Sequence, residues 1–193
     1  MARCPSGTRF ICPCPTRPAA IPPSAEPVPD MATPRDIRRL ALLALYQLDA
    51  LKGDDAPSIR ASLDDLDSLA EEGLTFADAG RDFTDADRDR AMRIALNAWN
   101  ERARADAAFA ELAPEWPAHR MPAVDRAVLR LCYFEMYAGS PPKAVVNEGV
   151  ELAKQFSTAD SPKFVNAVLD KILKKVLAEN PSNADAKTEA ETA

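Results

Sequence analysis

Residues 160–173 read D-S-P-K-F-V-N-A-V-L-D-K-I-L, and this stretch indicates the class of fold. Its apolar residues recur three or four positions apart, which is the spacing of one face of an α-helix: Val165, Val168, Leu169 and Ile172. Ser161 and Pro162 suit a helix start, because serine can cap a free N–H and proline in the first turn loses no hydrogen bond. Lys163 does not follow this logic, since it brings a cation to the positive end of the helix dipole. Phe164 is also unexpected, because the apolar face is complete without it.

Similar helical stripes run through most of the chain, and no strand-like alternation persists. The pattern predicts helices from Thr33 to about Gly53, over 58–72, over 84–112, over 122–138 and from Ser140 onward, in addition to the last one. Gly149 lies inside one of them, where it is either a weak point or a close contact between helices. The sequence therefore predicts an all-α, single-domain helical bundle of about six to seven helices.

Composition predicts the limits of this domain. Residues 1–32 are rich in proline, hold three of the four cysteines and lack an apolar stripe, so we expect a disordered leader, with Met31 as a hypothetical true start. Residues 33–178 form the expected helical domain, and residues 179–193 an expected disordered acidic tail. No run of 18 apolar residues occurs, so we expect no membrane span and a cytoplasmic location.

Charge and residue types exclude most enzyme classes. The net charge is −6, and acid is concentrated between residues 49 and 89, a region that should face away from any RNA. Phosphate-binding glycine loops are absent, and a single histidine, His119, excludes most triads and metal clusters. We therefore expect no catalytic residues, no metal site and no cofactor.

A binding function has more support. Arg35 and Arg38 are three residues apart on the first helix and are expected to share a face, whereas Arg39 points about 100° away from Arg38. Cations at the starts of two helices, together with Phe164, suit single-stranded RNA, because phosphates need Lys or Arg and splayed bases need aromatic platforms. The alternative is that Phe164 belongs to the core and that the charges are only solvated.

Three ordered motifs carry a resemblance to a known family. They are W-P-A-H-R-M-P-A-V-D-R-A-V-L-R-L from Trp116, P-P-K-A-V-V-N-E-G-V-E-L-A-K-Q-F from Pro141, and D-S-P-K-F-V-N-A-V-L-D-K-I-L from Asp160. Together with R-D-I-R-R-L-A-L-L-A-L-Y-Q from Arg35, they closely resemble the NusB family over residues 34–175. Its members are all-helical factors that bind boxA RNA with NusE, a small-subunit ribosomal protein, and support antitermination by RNA polymerase, chiefly on ribosomal RNA operons.

The resemblance implies roles for individual residues. The expected RNA-binding residues are Arg35, Arg38, Trp116, Asp160, Lys163 and Phe164. Asp125, an exposed acid at a helix start in this interpretation, is expected to face NusE, and Glu135 joins it. Pro34 and Asp36 interrupt the arginine run of the family, and Leu43 stands where a Gln is common.

Two other interpretations remain open at the level of sequence. One is a helical module that binds proteins and has weak or no RNA affinity. The other is a detached NusB-like domain of an RNA cytosine methyltransferase, which would need a further domain with a S-adenosylmethionine site.

Overall fold

A computed structural model describes residues 32–66, residue 76 and residues 82–179 of the 193-residue chain. These residues form seven α-helices and one 3₁₀ turn, with no strand among them. The helices are α1 (Pro34–Ala50), α2 (Ala56–Ser62), α3 (Asp85–Asn100), α4 (Arg102–Leu112), α5 (Ala123–Tyr137), α6 (Pro142–Phe156) and α7 (Ser161–Glu179), and the 3₁₀ turn is Ala118–Arg120. The predicted all-α fold is thus confirmed, while all but the last residue of the expected leader and all but the first residue of the expected tail lie outside the described residues.

Helix α1 begins with a capping box. The backbone N–H of Asp36 donates to the Thr33 hydroxyl at 3.2 Å, and the Asp36 carboxylate accepts from the Thr33 backbone N–H at 3.0 Å. Asp36 therefore interrupts the arginine run because it stabilises the first turn, where an acid also complements the helix dipole.

Two helix boundaries differ from the sequence-based expectation. The helix predicted over 58–72 ends at Ser62, where the Leu63 and Asp64 N–H groups donate to Arg60 and Ala61 carbonyls in a tightened last turn; residues 67–75 lie outside the described part. The long helix predicted over 84–112 breaks at Glu101 into α3 and α4. At this break the Arg102 guanidinium lies 4.1 Å from the centroid of the Trp99 ring and donates to the Trp99 carbonyl at 2.8 Å.

The core lies where α5 packs against α1, α6 and α7. Gly149 of α6 allows a close approach of three helices: a Cβ added there would lie 2.6 Å from Cys132 Sγ on α5 and 2.8 Å from Leu169 Cδ1 on α7. Of the two interpretations of this glycine, the close helix contact is confirmed.

Partly buried ion pairs fix the C-terminal end of α1 against α5. Asp49 accepts hydrogen bonds from Arg126 and from Arg130, at 2.7 Å for Arg130 Nη1, and Arg130 also donates twice to Asp106 of α4. Burial raises the pKa of the Asp49 carboxyl, but the hydrogen bonds from the two arginines outweigh it and leave this pKa below its ordinary value. This network fixes the position of α5, whose first turn contacts the connection between α6 and α7.

Candidate nucleic-acid interface

The start of α7 presents a cation beside two aromatic rings. Lys163 is exposed in the first turn, and its ammonium group forms no ion pair or hydrogen bond with any residue that the structure describes. Phe164 is half-buried against the core, and its ring centroid lies 5.9 Å from that of Trp116, with the planes at 56°. Trp116 is 48% exposed in the turn that follows α4. The fold therefore brings together three predicted RNA-binding residues from two distant segments.

Asp160 completes this group. It is exposed at the end of the four-residue connection between α6 and α7, and its backbone carbonyl accepts the Phe164 N–H at 3.5 Å. A carboxylate here offers only hydrogen-bond acceptors, which suits the N–H and amino groups on the edges of bases. The group thus combines an exposed positive charge, two aromatic rings and a hydrogen-bond acceptor.

Asp125 is not the exposed acid that the sequence suggested. Its side chain is buried, with the residue 2% exposed, because the connection between α6 and α7 covers the first turn of α5. Its two carboxylate oxygens accept hydrogen bonds from the hydroxyl groups of Ser157, at 2.6 Å, and Ser161, at 2.9 Å. The Ser161 hydroxyl therefore donates to this carboxylate in addition to marking the helix start. Asp125 fixes the connection that carries Asp160 and leads into Lys163.

Glu135 is buried as well, and it does not lie near Asp125. The two acids occupy opposite ends of α5, ten residues apart, which corresponds to about 15 Å along a helix axis. Both carboxylate oxygens of Glu135 accept from Arg38 Nε at 2.9 Å. Burial raises the pKa of Glu135, against the lowering effect of the Arg38 charge. The expected joint surface of Asp125 and Glu135 is therefore absent.

The three arginines of α1 contact two different helices, whereas the sequence predicted a shared face for Arg35 and Arg38. Arg35 donates to both carboxylate oxygens of Glu148 on α6, at 3.0 and 2.7 Å, and Arg39 donates to Gln155 on the same helix at 3.0 Å. Arg38 instead faces α5. The expected shared face of Arg35 and Arg38 is wrong in this respect, because residues four apart lie closer in direction on a helix than residues three apart.

Helix α6 connects these arginines to the start of α7. Glu148 and Gln155 lie about two turns apart on α6, and the connection over 157–160 then leads into Lys163. A shallow pocket between α1 and α6 contains both arginines together with a lysine. Its lining residues are Arg35, Arg39, Glu148, Glu151, Leu152, Lys154 and Gln155.

Comparisons with known proteins identify the family of this chain. The model of the NusB family matches residues 35–174, which is well over half of the chain. The chain belongs to the NusB family. It is 40% identical over 145 residues to the transcription antitermination protein NusB of Herpetosiphon aurantiacus, covering 72% of this chain and 88% of the relative. The corresponding protein of Symbiobacterium thermophilum is 36% identical over 149 residues, covering 72% and 88%.

Solved NusB structures share the fold. T. maritima NusB is 29% identical with a TM-score of 0.54, covering 75% of this chain and 94% of that one. A crystal structure of antitermination factors NusB and NusE in complex with dsRNA contains a chain that is 23% identical with a TM-score of 0.55, covering 73% and 96%. Because that chain is only 23% identical, the second comparison supports a shared fold and nothing further.

The sequence interpretation of this NusB-family chain missed two features of the site. Arg39 shares the α6 side of α1 with Arg35, which the 100° helical repeat already implied for residues four apart. The hydroxyl groups of Ser157 and Ser161 around Asp125 had no comparable signal, because their acceptor lies more than 30 residues away in sequence. Within the described ranges, no group of metal-binding side chains occurs and no helix is long and apolar enough to cross a membrane.

Proposed function

We propose that this NusB-family protein is a transcription antitermination factor. In this proposal it binds the boxA element of nascent, mainly ribosomal RNA transcripts together with the ribosomal protein NusE, within an antitermination complex of RNA polymerase. The observation that carries the proposal is the exposed Lys163, without an ionic partner among the described residues, beside the ring pair of Trp116 and Phe164. Membership of the family supports the same function.

Each residue of the group has a defined task in this proposal. Lys163 neutralises a backbone phosphate, and the exposed face of Trp116 stacks on an unpaired base, an interaction typically worth about 1–3 kcal/mol per base. Phe164 supports Trp116 from below, because it is half-buried and contacts both the core and the indole ring. Asp160 accepts hydrogen bonds from a base edge.

In this proposal, NusE assists RNA binding by offsetting the negative charge of the chain. The chain carries a net charge of −6, so RNA binding by the protein alone is opposed by long-range repulsion. A basic partner reduces this repulsion and adds phosphate contacts of its own. Asp125 supports the assembly by holding the connection between α6 and α7, since its buried carboxylate offers no exposed contact.

The test is a titration of fluorescent boxA RNA with the protein, with and without NusE of the same organism. We expect weak binding alone, tighter binding with NusE, and a decline as salt rises, because phosphate contacts release counterions. A scrambled RNA of equal composition and the variant Lys163→Glu should both bind less tightly. Equal affinity for boxA and scrambled RNA in the presence of NusE would contradict the proposal.

A second candidate is a module that binds NusE without contacting RNA. It is favoured by one observation: Arg35 and Arg38 already form ion pairs with Glu148 and Glu135, so their charges are partly neutralised inside the molecule. In that case NusE would bind normally, while Lys163→Glu and Trp116→Ala would leave the RNA affinity of the complex unchanged.

A further inference from the structure

A second basic cleft lies on the other side of α1 from the α6 pocket. It is formed by the start of α1, the middle of α3 and the end of α5 with the turn that follows. Three arginines line it, one from α1 and two from α3. Its lining residues are Pro34, Ile37, Arg38, Arg90, Arg93, Ile94, Phe134, Glu135, Ala138 and Ser140.

Arg90 and Arg93 have no partner within the part of the chain that the structure describes. Both are exposed, and neither forms a hydrogen bond, an ion pair or a ring contact there. They are three residues apart on α3, so their like charges lie close together and repel. No acidic side chain of the described residues pairs with either of them.

The nearest carboxylates on α3 are held elsewhere. Asp87, three residues before Arg90, closes the capping box with Thr84, and its carboxylate accepts from that hydroxyl at 2.7 Å. Asp89, four residues before Arg93, accepts from Arg60 of α2 at 2.6 Å. The acids that would ordinarily pair with the two arginines are therefore directed away from the cleft.

Glu135 is the carboxylate that the cleft does contain. Arg38 Nε binds both of its oxygens, and the residue is buried. One ion pair and two further arginines leave the cleft with a formal charge of +2, in a chain whose net charge is −6. The cleft thus carries a local positive charge that complements an anion.

The cleft and the α6 pocket lie on two sides of the same helix, α1. Arg38 lines the cleft, whereas Arg35, one turn earlier on α1, lines the α6 pocket, so the start of α1 separates the two by a single helix width. We propose that the cleft binds phosphodiester groups of single-stranded RNA flanking boxA, with Arg90 and Arg93 as its contacts. Guanidinium groups suit this task because each presents several N–H donors to phosphate oxygens. The inference rests on the proposed function and adds a second RNA contact surface, distinct from the group around Lys163.

The test compares two RNAs in complex with NusE: boxA alone, and boxA extended by eight unpaired uridines on each side. We expect the wild-type protein to bind the extended RNA more tightly and with a steeper salt dependence. In Arg90→Gln/Arg93→Gln this advantage should disappear, while affinity for boxA alone stays the same. The logarithm of the affinity falls linearly with the logarithm of the salt concentration, and loss of two single-strand phosphate contacts makes this slope less steep by about 1.4. The change in affinity between 50 and 200 mM salt then becomes about seven-fold smaller.

Two matched control variants separate the contribution of the cleft arginines from the effect of net charge. Arg90→Lys/Arg93→Lys keeps both charges and should retain most of the salt slope. Arg104→Gln/Lys174→Gln removes two exposed charges, from side chains that do not line the cleft, and should retain the advantage of the extended RNA. Thermal melting of each variant confirms that it folds.

The outcomes separate this inference from the proposed function. If the wild-type complex binds neither RNA, the proposed function fails. If it binds boxA but gains nothing from the flanks, or if Arg90→Gln/Arg93→Gln keeps the full gain, the inference is overturned. A cleft that served an acidic protein instead would give this last result.

Discussion

The guanidinium of Arg35 is held by the carboxylate of Glu148 through two hydrogen bonds, at 3.0 and 2.7 Å. The Arg35 side chain is nevertheless 49% exposed, and hydrogen bonding to Arg35 holds the pKa of Glu148 below its ordinary value. A phosphate that approaches Arg35 must therefore compete with a charged partner that the protein itself supplies. This internal competition should weaken any contribution of Arg35 to the proposed RNA binding.

Replacing Glu148 should strengthen RNA binding. Glu148→Gln removes the charge that competes for Arg35, and an exposed pair of this kind typically contributes about 0.2–1 kcal/mol, so we expect affinity to rise by up to about five-fold. The measurement is a boxA titration at constant salt. Glu111→Gln, which removes an exposed acid paired with Lys175 on α7, is the matched control. A similar gain in both variants would mean that net charge alone is responsible.

Lys163→Glu should separate binding from stability. The variant loses a phosphate contact and gains repulsion, so RNA affinity should fall at least ten-fold. Its melting temperature should stay the same or rise slightly, because an acid in a first helical turn is favourable by about 0.3–1 kcal/mol. A stability loss with unchanged RNA affinity would assign Lys163 a structural role instead.

The two aromatic residues should respond differently to truncation. Trp116→Ala removes an exposed ring and should weaken RNA binding by about 1–3 kcal/mol with little change in stability. Phe164→Ala should reduce both, because the ring is half-buried beneath Trp116, and its stability loss should stay below the about 3–5 kcal/mol of a fully buried phenylalanine. Melting curves and RNA titrations measure the two effects, with Tyr46→Ala as a control for an exposed aromatic on α1. A Phe164→Ala protein that melts far lower but binds RNA normally would make Phe164 a core residue only.

Substitutions at Asp125 should affect folding before binding. Asp125→Ala leaves the Ser157 and Ser161 hydroxyl groups without their acceptor, at a cost of about 1–3 kcal/mol, and Asp125→Asn should cost less because one oxygen remains. Asp125→Lys should be the most damaging, since it buries an ammonium group in place of the carboxylate. Chemical unfolding of the three variants measures this order of stability losses. We also expect Asp125→Asn to lower RNA affinity, because the connection that carries Asp160 is less firmly held. An Asp125→Lys protein of wild-type stability would contradict the burial of this side chain.

Stability should depend on pH through Asp49. Its carboxyl has a lowered pKa in the folded state, so its stabilising contribution is present above the ordinary value of 3.8 and is lost as the pH falls through the folded pKa. Asp49→Asn should therefore lower stability at pH 7 and flatten the decline of stability between about pH 5 and pH 2. Urea unfolding across this range tests the expectation. Asp170→Asn, which alters an exposed pair with Lys174, should leave the profile unchanged.

The sequence by itself determined the helical class and much of the aromatic site. Apolar periodicity and the prolines and glycines between stripes act within a few residues, so α5, α6 and α7 could be placed closely from local pattern alone. Lys163 and Phe164 were also recognisable locally, because a cation and an extra aromatic in a first turn conflict with the helix around them. The break at Glu101 was less accessible, since no proline or glycine marks it and Arg102 contacts Trp99 only in the folded chain.

Only the tertiary structure decided how the charged residues pair. Arg35 and Glu148 are 113 residues apart in sequence, and Asp125 and Ser161 are 36 apart, so no local pattern could join them. Helical periodicity gives the direction of a side chain around its own axis, but the helix packed against that face decides whether the side chain is buried. For this reason Asp125 could be placed at a helix start from the sequence, whereas its burial beneath the connection between α6 and α7 depended on the packing of α5 against that segment.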